Sequence, residues 1–268
     1  MSGLLSWIAQ VWEISFMLDA LRYIVAAFGL ALILKLFWHW GLADRKIQAR
    51  NATNADRRRE ILTSMRTVVV FSINGVMIYF AAVAGIITMY DHVGPGDIPY
   101  LLVSTVALIL FHDTYFYWTH RAMHHPKLFR WFHRTHHRSV APTPFAAYAF
   151  DLPEAIVQGL VVPLWLLMVP MHEFGVFLFM GFMIIRNVMG HAGVELMPRG
   201  LADSRRFGWI NATTHHDLHH SSFRYNYGLY FTWWDRLMGT EHPEYRARLR
   251  GRAAPVPEGA YIPAGTSD

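Results

Sequence analysis

Residues 112–137 read HDTYFYWTHRAMHHPKLFRWFHRTHH, and this stretch decides how the rest of the chain is read. It carries His112, His120, His124, His125, His133, His136 and His137, and a second cluster, His215, His216, His219 and His220, follows nearer the C-terminus. The chain holds 16 histidines, so most of them fall in two short windows, which chance placement explains poorly. His120 and His124 are four apart, while His133-x2-His136-His137 and His216-x2-His219-His220 repeat an i, i+3, i+4 pattern. On a helix such positions share one face, so each set is expected to aim its imidazoles at a common point. Neutral imidazole is the commonest metal ligand. A structural zinc takes four ligands, and so many converging histidines fit two metals in a shared cage better than one. The plainer reading, surface histidines on basic helices, needs a three-part pattern to arise by accident.

Composition points to a membrane. The hydrophobic fraction is 53%, aromatics make up 15%, and the mean hydropathy is +0.21. With no cysteine, disulfides, iron–sulfur clusters and thiolate-ligated haem or zinc are excluded. The formal charge is +5, but the basic residues flank apolar runs and form no separate basic domain. That argues against nucleic acid and for a charged membrane surface. Residues 1–19, with Trp7, Trp12 and Phe16 among Glu13 and Asp19, suggest an interfacial helix. They lack the basic start and the cleavage site of a signal peptide. Apolar runs follow at 20–40, 67–90 and 99–118, and the run 152–190, broken at Pro170-Met171-His172-Glu173, is read as a helical hairpin. By the positive-inside rule the basic segment 44–66 is cytoplasmic. Alternating the spans then puts His120–His137, His191 and His215–His220 on that same side. The expected fold is all-α: a multi-span membrane bundle with a cytoplasmic helical cap around the histidine-caged metals. Its divisions are 1–98 (spans and basic loop), 99–242 (catalytic) and 243–268 (flexible tail).

The third run is expected to leave the membrane as one long helix with Asp113, Tyr117, His120 and His124 on a stripe. An aspartate in an apolar span is costly and usually functional, so Asp113 is expected to orient a ligand imidazole. The plainer reading is a buried carboxylate satisfied by a neighbouring element.

Taken together, His120-x3-His124, His133-x2-His136-His137 and His216-x2-His219-His220 resemble the three histidine boxes of the fatty acid hydroxylase/sterol desaturase superfamily. The run Tyr225-Asn226-Tyr227-Gly228 to Trp234-Asp235-Arg236 and Gly239-Thr240 resembles the segment after that family's last box. The likeness covers about residues 110–240. Pro142-Thr143-Pro144-Phe145 and the doubled His215-His216 are most similar to the C5-sterol desaturase (lathosterol oxidase) branch, although Tyr148 and Asp151 stand where that branch carries histidines.

The resemblance implies a membrane-embedded helical fold with a non-haem di-iron centre, and O2 as co-substrate in hydroxylation or desaturation of a lipid drawn from the bilayer. Zinc can replace iron in purified protein. It further implies a ligand between the second and third boxes, here His191, with Asn187 or Glu195 completing the shell directly or through water. Tyr117 and Asp217, beside the box histidines, join Asp113, Asn187 and Glu195 as catalytic candidates. His125 and His215 adjoin ligands one step off the face, while His39, His92, His172 and His242 are expected to have no ligand role. Electrons are expected from a separate donor resembling cytochrome b5 or ferredoxin, docked on Arg121, Lys127, Arg130, Arg134 and Arg138. Two rivals remain: a non-catalytic membrane zinc sensor or scaffold, and a zinc-assisted lipid hydrolase, which would need an open zinc with water and a general base.

Overall fold

The computed structural model describes residues 2–251. In chain order the helices are α1 (Ser2–Phe37), α2 (Asn54–Val83), α3 (Ile98–Met123), α4 (Pro126–Phe132), α5 (Arg134–His137), α6 (Leu152–Gly159), α7 (Val161–Leu166), α8 (Glu173–Gly190), α9 (Thr213–Ser222), α10 (Trp233–Leu237) and α11 (Tyr245–Leu249). Helices α1, α2, α3 and α8 are long and apolar enough to cross a membrane. Their outward side chains, such as Leu21, Val25 and Leu36 on α1, Val103 on α3 and Phe177 on α8, are exposed and apolar. Such a surface suits hydrocarbon and not water.

The expected division of the N-terminus into an interfacial helix and a span is corrected: α1 is one helix of 36 residues. At 1.5 Å per residue it measures about 54 Å, well beyond the ~30 Å hydrocarbon core. Asp19, one of the acidic residues that suggested a boundary, is paired within the helix, because Arg22 Nη1 donates to its Oδ1 at 2.8 Å one turn away. The interior binds α1 and α2 to the segment before α6. Tyr23 and Ser64 hydroxyls both donate to the Phe145 carbonyl, at 2.9 and 2.8 Å. The Tyr23 ring stacks on the fully buried Tyr148.

The expected hairpin over 152–190 has one full-length arm, α8. Its outgoing arm is the short apolar run Leu152–Leu166, split into α6 and α7. That run still carries the chain the length of the bundle. It starts at Asp151, which accepts from Thr135 N at the head of α5. It ends at β2 (Met171–His172), which pairs in parallel with β1 (Met89–Tyr90) beyond the far end of α2. The ends of α1, α3 and α8 and the start of α2 therefore lie together opposite this β pair. The linker after α1 is tied there by Ile47 N donating to Gly193 O and by Glu195 N donating to Arg45 O.

After α8 the chain folds back as a polar cap over this end. The tail expected from residue 243 begins differently. Residues 245–249 form α11, and Tyr245 is fully buried with its ring against His215 and its hydroxyl accepting from Ala212 N at 3.3 Å. An aromatic side chain held this way anchors the segment. The remainder of that tail, 252–268, lies outside the described residues.

Candidate metal centre

The box histidines are placed by helix ends. Helix α3 carries His120 and stops at Met123, with His124 as its cap. Pro126 forces the preceding residue out of the helical region, so His125 is extended and caps α4, its Nδ1 accepting from Lys127 N. At His133 the backbone turns out of helix (φ −140), and α5 is a single turn. His133, His136 and His137 therefore do not lie on one helical face as expected. On α9 the third set is continuous helix, but His219 lies about 100° around the axis from His220, and the two aim apart.

The result is two groups. His120, His124, His133, His137 and His219 form one, and His136, His191, His216 and His220 the other. Within each, one ring nitrogen per residue lies within 4.8 Å of all the rest. Apart from the half-buried His124, all these histidines are buried. The groups abut, with the His133 and His136 ring centroids 5.0 Å apart and those of His137 and His220 4.9 Å apart.

Backbone carbonyls set the tautomers. His120 Nδ1 lies 2.8 Å from Tyr227 O, His191 Nδ1 2.8 Å from Asn187 O, and His219 Nδ1 2.7 Å from Tyr225 O. A carbonyl only accepts, so in these residues Nδ1 carries the proton and Nε2 a lone pair. Those lone pairs face other ring nitrogens. His120 Nε2 is 2.9 Å from His133 Nε2, and His191 Nε2 is 3.0 Å from His216 Nε2 and 3.3 Å from His136 Nε2. The Nε2 atoms of His124, His137 and His219 form a triangle with sides of 3.0, 3.1 and 3.2 Å. A ring N–H points in one direction, so protons cannot close such a triangle, whereas a cation at its centre serves all three atoms. Imidazoles about 2.0–2.1 Å from a shared ion stand about 2.9–3.4 Å from one another, which is the spacing found. The donor set fits a metal ion in each group.

Burial first, then repulsion among neighbouring rings, holds His124, His133, His136, His137, His216, His219 and His220 well below the usual range, and burial holds His191 down to about 4. They are neutral near pH 7, the form that binds metal.

Two carboxylates that the sequence reading passed over complete the surroundings. Glu154, on α6, brings Oε1 to 2.7 Å from His133 Nδ1. The contact is close but off the line of a hydrogen bond, and Glu154 Oε2 has no partner. Its signal in the sequence is a carboxylate within an apolar helix. Asp235 accepts from Tyr227 N, Gly228 N and Thr240 Oγ1 at 2.9, 2.8 and 2.7 Å. It thus fixes the loop whose carbonyls hold His120 and His219. Only glycine fits at 228, where a Cβ would stand 2.6 Å from Phe231 O and 2.9 Å from Asp235 Oδ2. Burial works to raise the Asp235 pKa, but His215, 3.3 Å away, and these donors hold it below the ordinary value.

Several expected roles are not what the geometry shows. Asp113 touches no imidazole; its Oδ1 accepts from Tyr230 N and Phe231 N, so the plainer reading holds. The Tyr117 hydroxyl meets Thr240 Oγ1 at 3.0 Å and Arg121 Nη1 at 3.2 Å. Asn187 gives His191 its backbone carbonyl while its side chain donates to Ala147 O. Glu195 accepts from Thr214 N and Oγ1 and from Met197 N, holding the start of α9. Asp217 points away from both groups toward Gln48, and burial lifts its pKa to about 7. His125 and His215 lie outside both groups, and His172 caps α8 at the opposite end of the bundle.

Beside the histidines, between α1, α2, α3, α6, α7 and α8, lies a cavity of about 220 Å³. Its wall includes Phe116, whose ring is 4.8 Å from that of His120, and Phe150, 5.4 Å from His136. Along α8 it runs from Asn187 to Val176, about 16 Å at 1.5 Å per residue.

Comparison with known proteins gives three findings. A family model described as fatty acid hydroxylase matches residues 105–240. Among curated proteins, the chain is similar to the lathosterol oxidase of Mus musculus, 34% identical over 69% of this chain and 61% of the relative, and to that of Homo sapiens, 33% identical over 68% and 60%. It is also similar to a Delta(7)-sterol 5(6)-desaturase of Gibberella zeae, 29% identical over 87% of this chain and 69% of the relative. The chain thus spans about three fifths of the length of the lathosterol oxidases it matches. No solved structure matches it.

Proposed function

The chain belongs to the fatty acid hydroxylase family, and on that premise we propose that it is an integral-membrane oxidoreductase that uses O2 to hydroxylate or desaturate an apolar lipid at a pair of iron ions. One observation carries the reading: two abutting groups of neutral imidazoles, with lone pairs that only cations can reconcile, lie against an apolar cavity among membrane-length helices. His120, His124, His133, His137 and His219 would hold one ion, and His136, His191, His216 and His220 the other. Iron bound there supplies the redox chemistry that oxidation of an unactivated C–H bond requires.

The protein's own part is placement. Carbonyls of Tyr225, Tyr227 and Asn187 fix the tautomers of His219, His120 and His191, as partners of metal-bound imidazoles commonly do. Phe116, Phe150, Phe179 and Met183 shape an apolar berth that excludes water and sets which carbon of the lipid approaches the histidine end. The substrate enters from the bilayer between the spans. On the cap, Lys127, Arg130, Arg134 and Arg138 are exposed around the second box. Facing the cytoplasm, they offer a basic dock for an acidic electron donor such as a cytochrome b5- or ferredoxin-like protein. Residues 99–242 form the catalytic part in this scheme, and 1–98 supply the first spans and the basic loop.

The deciding experiment compares the lipids of a host with and without the gene, under oxygen, by mass spectrometry. The expected result is a lipid differing by one oxygen or by two hydrogens, lost when box histidines are replaced. Metal binding without any such product would favour a non-catalytic metal-binding membrane protein.

A further inference from the structure

One face of the cap is as apolar as the spans. On α10 Leu237 is 74% exposed, and Trp233, the following Met238 and Phe207 are exposed as well. The Trp233 ring stacks on those of Phe231 and Trp209, at 4.6 and 5.4 Å. Helix α10 and the segment before α9 therefore present these side chains together. Exposed aromatic and aliphatic side chains grouped in this way mark a surface that something covers.

The attachment of α10 shows what that is. Trp234 Nε1 donates to Thr114 Oγ1 at 3.1 Å, and its ring meets Trp118 edge-on at 5.5 Å. At about 100° per residue, Thr114 and Trp118 fall within about 80° of Val103 and Leu110 around α3. Val103, Leu110 and Trp118 are exposed. This is the outward stripe of a span, so α10 sits on the side of α3 that faces lipid. Thr114 and Trp118 lie about 24 and about 30 Å along α3 from Ile98, where a hydrocarbon core of ~30 Å gives way to headgroups. Tryptophan is enriched at that level. The charges agree. Arg205 and Arg206 are exposed directly before Phe207, whereas Arg236, on α10 itself, is paired with Glu241.

We propose that α10 and residues 205–209 form a foot that rests in the leaflet at the histidine end of the bundle. Trp233 and Leu237 would lie among the upper acyl carbons, with Arg205 and Arg206 on anionic lipid headgroups. The occupant is the bilayer itself, because the patch continues the lipid-facing stripe of α3 at the depth of the membrane's edge. The foot is also joined to the metal centre. Asp235, between Trp233 and Leu237, accepts from Tyr227 N and Gly228 N, and the Tyr227 carbonyl holds His120. One short helix thus ties the histidines to the membrane surface. The proposal concerns that surface and not the reaction, so it stands or falls apart from the oxidase reading.

The chain has no cysteine, so a single one can carry a probe. Leu237→Cys is labelled with an environment-sensitive fluorophore on the full, metal-loaded chain in phospholipid vesicles. A lipid bearing a nitroxide high on its acyl chain should quench the label severalfold more strongly than aqueous iodide does. The same nitroxide on phosphatidylglycerol should quench about twofold more strongly than on phosphatidylcholine. Arg205→Gln with Arg206→Gln should remove that difference. Met238→Cys serves as the labelling site if the first variant does not fold. Stronger quenching by iodide would overturn the proposal, and so would protection from both quenchers, which marks cover by a second copy or another protein. Equal quenching by the two lipids, or an excess that survives the arginine substitutions, would overturn the assignment of the headgroups.

Discussion

His191 donates Nδ1 to the last turn of its own helix and turns Nε2 toward His136 and His216. It is the only member of its group that comes from α8 rather than from a box, so its loss opens that group and no other. His191→Ala is expected to lower bound metal from about two ions per chain toward one, and to abolish lipid oxidation. His172→Ala, at the far end of the bundle, should do neither; metal analysis and product assay read both. Glu154→Gln keeps the shape beside His133 but replaces a carboxyl oxygen with an amide, and should cost roughly 10–100-fold in metal affinity or activity. These two residues also mark what the sequence discloses. The histidines are legible because few roles other than metal binding gather imidazoles at such spacings. Glu154 is easily passed over despite its apolar surroundings, since a carboxylate three residues after Asp151 also reads as an ordinary helix start. The carbonyls of Tyr225 and Tyr227 have no sequence signature at all. Asp113 is misread for a related reason: sharing a stripe with His120 says nothing about the backbone that lies across from it.

Helix α9 carries His216, His219 and His220 and owes its start to a carboxylate from another segment. Glu195 takes the amide and hydroxyl of Thr214 at 2.8 and 2.6 Å. Glu195→Ala removes that cap and should destabilise the protein by about 0.5–2 kcal/mol, seen as a lower melting temperature, while both ions still bind at saturation. Asp113→Ala frees the amides of Tyr230 and Phe231 inside the protein and should cost about 1–3 kcal/mol, again without loss of metal. Element ends differ in legibility. The stop of α3 is written in the sequence by Pro126, which cannot follow a helical residue without a clash. The break at His133 is not, because nothing in Phe129–His137 disfavours helix, and the turn is imposed by partners from elsewhere: Asp151 at the head of α5 and the rings of the other boxes. The continuity of α1 is likewise obscured, since Asp19 reads as a membrane boundary until its pairing with Arg22 is seen.

At the scale of the molecule, the histidines, the basic linker after α1 and the cap share one end of the bundle, and β1 with β2 closes the other. A reporter placed after residue 55 is expected to read cytoplasmic and one near Gly94 external. The opposite pattern would separate the metals from cytoplasmic reductants. The division of the boxes between the groups has a further consequence. Helix α5 and the His133 junction send His133 and His137 to one group and His136 to the other, and α9 sends His219 one way and His216 and His220 the other. Neither group can be assembled while these two segments are out of place, and either one, once filled, pins both segments for its neighbour. Metal uptake should therefore be cooperative: a titration of the stripped protein passes from empty to full with little half-loaded species, and native mass spectrometry can count the forms directly. A pair of sites built on separate segments would fill independently; here the chain is woven through both, so in the intact protein filling one favours filling the other.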